Sequence, residues 1–378
     1  MTFNIASHGY KDDFCLPEQG SYLLSHSVGR PLKSAQQAFS EDFFNPWQED
    51  NAEPWQHWLK SIELFQSALG QLFNHSPECF CPQVNLSSAL CKLVMSHPRL
   101  TKPSAKILMS ELDFPSMGYA LRQALPQCQF VFIPNELDIT SLEVWNRHLS
   151  EELDLVFISQ VYSNSGQQAP VNSVVAATKQ LGVLSVVDVA QSAGLLALDL
   201  TETEPDFMVG SSVKWLCSGP GAAYLWVHPK QIADCEPKDV GWFSHENPFE
   251  FDIHQFRYHH GVLRFWGGTP SVAPFVLAAH SIHYINRLPI GLIRQHNLRL
   301  LSMLHNAFAA QIVSPKEPSQ CSGTAILQFG DGQNRVIEAL KAAKISVDVR
   351  SLGIRVSPHI YNDEADIEQL IAVIHNAA

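Results

Sequence analysis

The chain has 378 residues, of which 46% are hydrophobic and 16% charged, against roughly 25% charged in ordinary soluble proteins. At about 150 residues per domain, that length suggests two or three domains with a large core and room for buried subunit contact. With 25 Lys+Arg against 37 Asp+Glu the formal charge is −12, a poor match to a phosphate backbone, so nucleic acid is not an expected partner.

No apolar stretch reaches the roughly 20 residues of a membrane-spanning helix, and the opening MTFNIASHGYKDDF lacks the basic-then-apolar pattern of a secretory leader. Eight cysteines are too sparse for a disulfide scaffold. Cys79 and Cys81 have no second pair at zinc-ligand spacing, so no metal is expected. A reducing cytoplasm is the expected location, and no membrane partner is expected.

Residues 1–44 follow no regular rhythm. From about 45 to 240 the chain alternates short apolar runs with helical patterns. Strands are predicted in AKILMSELDF (105–114), QFVFIP (129–134), LDLVFISQV (153–161), GVLSVVDVA (182–190), DFMVGSS (206–212) and AAYLWVHP (222–229). Each is too uniformly apolar for a one-sided antiparallel sheet. VNSVVAATKQLG reads as a helix ended by Gly182. Strand–helix–strand units of this kind build an α/β fold, a mainly parallel sheet between helices, whose ligands bind beyond the carboxyl ends of the strands. A long helical stretch broken at Pro289, then TAILQFG, a helix over NRVIEALKAAKI, the strand-like SVDV and a closing helix form a smaller α+β unit. The expected division is an N-terminal segment 1–44, a large domain 45–274 and a small C-terminal domain 275–378.

Two strand ends carry the chemistry. Asp188 closes an apolar run in VDVAQSAG, and Lys214 follows another in SSVKWLCSGPG. A partly desolvated lysine at a crevice loses basicity and can form a Schiff base. A neighbouring Asp can keep a pyridine nitrogen protonated, as pyridoxal chemistry requires. The same spacing also fits an ordinary Asp–Lys ion pair at the sheet rim.

YLLSHSVGRP (22–31), DFPSM (113–117), GWFSHENPFEF (241–251), RFWGGTPSV (264–272) and VDVRSLGIRVSPHIYNDEADI (347–367) surround those two motifs. Together, in this order, they resemble the class V aminotransferase group of pyridoxal-phosphate (PLP) enzymes, fold type I, and more narrowly kynureninase. The resemblance implies a large domain with a seven-stranded sheet, an N-terminal segment packed with the small domain and active site, and pyridoxal 5′-phosphate as cofactor. It makes Lys214 the Schiff-base lysine and Asp188 the partner of the pyridine nitrogen. Phe114 would stack on the cofactor ring, beside Ser116, and Gln191 would bond its phenolic oxygen. Leu86, Ser87 and Ser88, opening the helix SSALCKLVM with Ser87 as a candidate N-cap, would hold phosphate. Ser165 marks another cofactor contact. Trp242 and Thr269 would reach phosphate, one or both from a partner subunit, which implies a homodimer sharing its active sites. Arg355 would fork onto the α-carboxylate of an amino-acid substrate, with His26 and Ser27 nearby.

The chain departs from kynureninases at four places. Val213 stands where they have Tyr, Met117 where they have Asp, His26 where they have Asn and Gln191 where they have His. The implied reaction is hydrolysis of the Cβ–Cγ bond of a 3-acylalanine to alanine and an acid. Transamination or another lyase reaction, and a diverged paralogue that binds PLP without this activity, remain alternatives. Cysteine desulfuration lacks its loop cysteine, since Arg350–Gly353 is short and cysteine-free and Cys321 lies in a dissimilar segment.

Overall fold

The structure is a computed structural model that describes residues 9–49 and 51–377. The first eight residues of the 1–44 segment lie outside it. Strands β1 Phe80–Gln83, β2 Lys106–Ser110, β3 Gln129–Ile133, β4 Leu155–Ser159, β5 Leu184–Asp188, β6 Phe207–Ser211 and β7 Ala223–Val227 form one seven-stranded sheet in the order β1-β7-β6-β5-β4-β2-β3. Only β7 runs against its neighbours; the pairs between β6 and β3 are all parallel. A second sheet, β8 Ala325–Leu327, β9 Asp348–Arg350 and β10 Gly353–Val356, has β10 at its centre. The longer helices are α1 Trp55–Leu72, α2 Leu86–Val94, α3 Pro115–Ala124, α4 Leu142–His148, α5 Val171–Gln180, α6 Ala273–Ile285, α7 Ile290–Ala307, α8 Gln333–Ala342 and α9 Glu364–Ala377.

The apolar runs become strands because both faces of the sheet are covered. Leu155 and Phe157 of β4 join Leu90 and Leu121 of α2 and α3 in one core, while Val156 and Ile158 join Phe65 of α1 and Val174 of α5 in the other. Alternate side chains thus enter opposite cores, and neither face is left for polar residues. Gly182 ends α5 at φ +64°, a left-handed conformation that costs glycine little.

The six predicted strands form, each trimmed at its ends. Two further strands escaped sequence reading. β1 contains Pro82, which argues against an interior strand, yet β1 sits at the sheet edge, where a missing N–H breaks no ladder. β10 is the four residues Gly353–Val356, paired on both sides. The core of the large unit also runs past residue 274. Phe275, Ala278, Ala279 and Ile282 of α6 pack into the same core as β4 and α1, so the smaller unit starts at α7 rather than at 275. The N-terminal segment bridges the units. Leu23 enters the core around β8 and β10, and Phe14 and Leu32 pack with Trp215 and Tyr361.

Chain order reverses between β2 and β4: β3 lies beyond β2 on one side, and the next strand, β4, on the other. Loops leaving the two strands splay apart at such a point and open a crevice. Residues 111–114 and 160–165 form those loops.

Candidate active site

Two connected lobes occupy this crevice. An inner lobe of about 190 Å³ is lined by Leu86, Ser87, Ser116, Asp188, Ser211 and Val213, among others. An outer lobe of about 510 Å³ is lined by His26, Ser27, Asp113, Asn135, Asn164, Arg350 and Arg355, among others. Phe114, Ser163, Gln191 and Lys214 line both. Residues separated by more than three hundred positions thus meet at one point, because the N-terminal segment and β10 both close over the sheet's carboxyl ends. Gly29 makes that closure possible. Its N–H donates to Val213 O at 2.9 Å, and a Cβ there would lie 2.1 Å from the Lys214 carbonyl oxygen.

Lys214 follows β6, and its Nζ makes no hydrogen bond or salt bridge among the described residues. Burial lowers its pKa, an effect opposed by the charge of Asp188 and reinforced by that of Arg355. The Asp188 carboxyl moves the other way, raised by burial against a bond from Ala190 N to Oδ1 (2.8 Å) and the attraction of Lys214. Among the described residues its Oδ2 carries no hydrogen bond, and the carboxyl lines the inner lobe. Phe114, at the head of α3, is 50% exposed and faces both lobes. A half-exposed aromatic face, an unpaired amine and an unpaired carboxylate oxygen around one small lobe form a donor set that fits a planar pyridoxal ring.

The phosphate end differs in detail from the sequence reading. Asn85, not Ser87, is the N-cap of α2, its side chain accepting from Ser88 N at 2.8 Å. Asn85 places a side-chain oxygen where the cap requires one, and Ser87 falls one turn position inside. The cap consumes the Ser88 amide, and Ser88 lines outer depressions rather than the inner lobe. Leu86 and Ser87, whose amides have no intrahelical partner, do line it, with Ser116 opposite.

Ser165 is also displaced. Its hydroxyl accepts from Gln167 N at 3.4 Å, and Ser163 and Asn164 of the same turn line the lobes instead. Trp242 and Thr269 are joined by a 3.3 Å hydrogen bond, but neither lines the crevice of its own chain. Thr269 lines a separate depression of about 220 Å³ with Lys92 and Ser88. His26 and Ser27 line the outer lobe as read, with burial driving His26 down to about 4, so its imidazole is neutral at pH 7.

Asp113, absent from the sequence-based site, is a second, half-buried carboxyl near Asp188. Burial drives it up to about 7, with the Asp188 charge adding and hydrogen bonds from Ser159 Oγ (2.7 Å) and Ser110 N (2.8 Å) opposing. Unfolded, it titrates near 3.8. Between about pH 4 and 7 the folded protein therefore keeps a proton that the unfolded chain has lost, and stability falls as pH rises through that window. Asp113→Asn, able to donate to Ser159 and accept from Ser110, removes this contribution, worth roughly 4 kcal/mol at most. The melting temperature of the ligand-free variant is expected to drop less from pH 5 to 8 than that of the parent; parallel curves would contradict the assignment.

The profile of the aminotransferase class-V family matches residues 87–370. A kynureninase of Stenotrophomonas maltophilia is 27% identical over 96% of this chain and 93% of its own, and one of Myxococcus xanthus 26% over 99% and 95%. An uncharacterized aminotransferase of Bacillus subtilis is 25% identical over 84% of each chain. In fold, the chain is similar to an apo cysteine desulfurase from Thermococcus onnurineus (TM-score 0.86, 19% identity, 97% of each chain). It is also similar to the cystine C–S lyase C-DES in complex with its product cysteine persulfide (TM-score 0.85, 18% identity, 96% of this chain and 98% of that one). With the family profile spanning most of the chain and the lobe around Lys214 fitting a pyridoxal ring, the chain belongs to the class-V aminotransferase family as a kynureninase-like enzyme dependent on pyridoxal 5′-phosphate.

Proposed function

We propose that the enzyme acts on an amino acid and hydrolyses the Cβ–Cγ bond of a kynurenine-type 3-acylalanine, giving alanine and an acid. The observation that carries this reading is the two-lobed crevice, with Lys214 and Gln191 at its junction and Arg355 in the outer lobe. Pyridoxal phosphate, when bound, supplies an electron sink. In this reading Leu86 and Ser87 hold its phosphate through helix-start amides, Phe114 covers its ring, and Asp188 Oδ2 keeps a proton on its pyridine nitrogen. Arg355 binds the substrate carboxylate. Lys214 Nζ, made less basic by burial, carries a proton to and from the substrate carbon. The outer lobe accommodates the acyl group among Asn135, Asn164, Ser27 and His26.

The family likeness, with kynureninases among the relatives spanning nearly the whole chain, supports the reaction. Val213 favours a second reading, in which another amino acid undergoes transamination or β-elimination, because valine can neither bind phosphate nor move a proton. Among the described residues no cysteine lines either lobe, and Cys321 is buried against Arg294 (Nη2–Sγ 3.2 Å), which disfavours desulfuration through an enzyme cysteine. A homodimer is part of the proposal. Phe251, stacked near Trp242, is 76% exposed and Ile253, two residues on, 92%, and such exposed apolar side chains ask for cover. Sedimentation as a monomer would remove that part.

Incubating the PLP-loaded enzyme with kynurenine and 3-hydroxykynurenine is expected to release alanine and the matching anthranilate. Amino transfer to a keto acid without these products would establish the second reading.

A further inference from the structure

We propose that Asp348 is a positioning residue that presents Arg355 to the substrate carboxylate, an inference resting on the role given to Arg355 above. Asp348 and Arg355 face each other across the β9–β10 pair. One oxygen, Asp348 Oδ2, accepts from Arg355 Nε at 3.0 Å and also from its Nη2. Arg355 Nη1 donates to Ser163 O at 2.7 Å. A guanidinium offers a side-on fork, Nε with Nη2, and an end-on fork, Nη1 with Nη2. Asp348 takes the side-on fork. With Ser163 O taking one N–H of Nη1, one N–H on Nη1 and one on Nη2 of this 5% exposed arginine remain for the outer lobe, which Arg355 lines.

The carboxylate also faces a buried imidazole. His26 Nε2 lies 3.6 Å from Asp348 Oδ2, while His26 Nδ1 lies 2.6 Å from Ser357 Oγ, which is 2.7 Å from Thr324 Oγ1. His26 Nε2 has no hydrogen-bond partner among the described residues. A neutral imidazole facing a carboxylate carries its proton on that nitrogen, so Nδ1 accepts from Ser357 and Ser357 from Thr324. This relay of Thr324, Ser357 and His26 runs through buried hydroxyls and fixes the imidazole that faces Asp348 at 3.6 Å, a polar contact longer than a hydrogen bond. The N-terminal segment is tied to it by Ser357 N donating to Leu23 O at 2.9 Å. Asp348 also accepts from Arg350 Nε at 3.1 Å, so without it two guanidinium groups would border the lobe without a carboxylate, and Arg355 would keep only its bond to Ser163 O to set its direction.

The alternative role for Asp348 is competitor, an internal carboxylate that substrate must displace. The two roles predict opposite signs. The PLP-loaded enzyme is titrated with L-alanine and with ethylamine, its carboxylate-free counterpart, following the cofactor's absorption. Asp348→Asn is expected to weaken alanine binding by about tenfold, the order of one charge-assisted hydrogen bond, while ethylamine binding stays unchanged and reports an intact site. Ser357→Ala, which breaks the relay without touching the carboxylate, shifts the ratio the same way by a smaller factor. Unchanged or tighter alanine binding in Asp348→Asn would overturn the proposal. Arg355→Ala serves as the reference. It is expected to erase the preference for alanine over ethylamine, and a retained preference would overturn the role of Arg355 itself.

Discussion

Lys214→Ala is expected to lower turnover by about 10³-fold or more, since one side chain supplies both the covalent attachment and the proton shuttle. It should also abolish the visible absorption of lysine-bound cofactor. The physical basis is the position of Nζ. It emerges after β6, lines both lobes and, among the described residues, has neither a hydrogen bond nor a salt bridge to lose. Burial lowers its pKa, so more of it is present as the free amine that bond formation needs. An ordinary sheet-rim ion pair predicts something different, a modest change in stability with absorption and turnover intact. Lys214→Arg separates the two further, because it preserves the charge next to Asp188 but cannot form the bond; the account expects it to be as inactive as alanine.

Asp188→Asn is expected to cost about 10²- to 10⁴-fold in turnover, the range typical of a positioned proton-transfer group, with cofactor still bound. Asn keeps the shape and the bond from Ala190 N but cannot hold a proton on the pyridine nitrogen. Its neighbour makes the result specific. Asp113 is half-buried, and both its oxygens are occupied by Ser159 and Ser110, whereas Asp188 Oδ2 is unbonded among the described residues, beside the inner lobe. Asp113→Asn should therefore leave turnover far closer to that of the parent than Asp188→Asn does. Equal losses from the two variants, read from steady-state rates on loaded enzyme, would contradict this division of roles.

Much of this arrangement is legible in the chain because it rests on local pattern. The central strands are uniformly apolar since both faces are covered, and the ends of β5 and β6 bring Asp188 near Lys214 without any long-range information. Gly182 marks the end of α5 through its left-handed backbone. Other features depend on tertiary context. Pro82 hides β1 until its edge position is known. The α6 helix reads like the start of the smaller unit, but its apolar face is claimed by the large core. Asn85 and Ser87 are both acceptable caps by residue type, and only backbone geometry selects Asn85.

The site shows the same division. Phe114, Gln191 and Arg355 were reachable through motifs, and each lines the crevice. Ser165 was placed by motif as well, yet the turn around Gly166 points it away, and Ser163 takes its place. Asp348 and Asp113 sit inside the quoted motifs but carry no signal of their own. Their significance lies in what they touch, a guanidinium on the next strand and a serine on β4. Trp242 and Thr269 are together in space but away from Lys214 of their own chain, an arrangement that a shared site between subunits would explain.

The most direct test of the central claim is borohydride reduction of the PLP-loaded protein, followed by digestion and mass spectrometry. A pyridoxyl mass is expected on the peptide containing SSVKWLCSGPG, at Lys214 and at near-unit stoichiometry. A label on Lys92 or Lys106, or none at all, would contradict it.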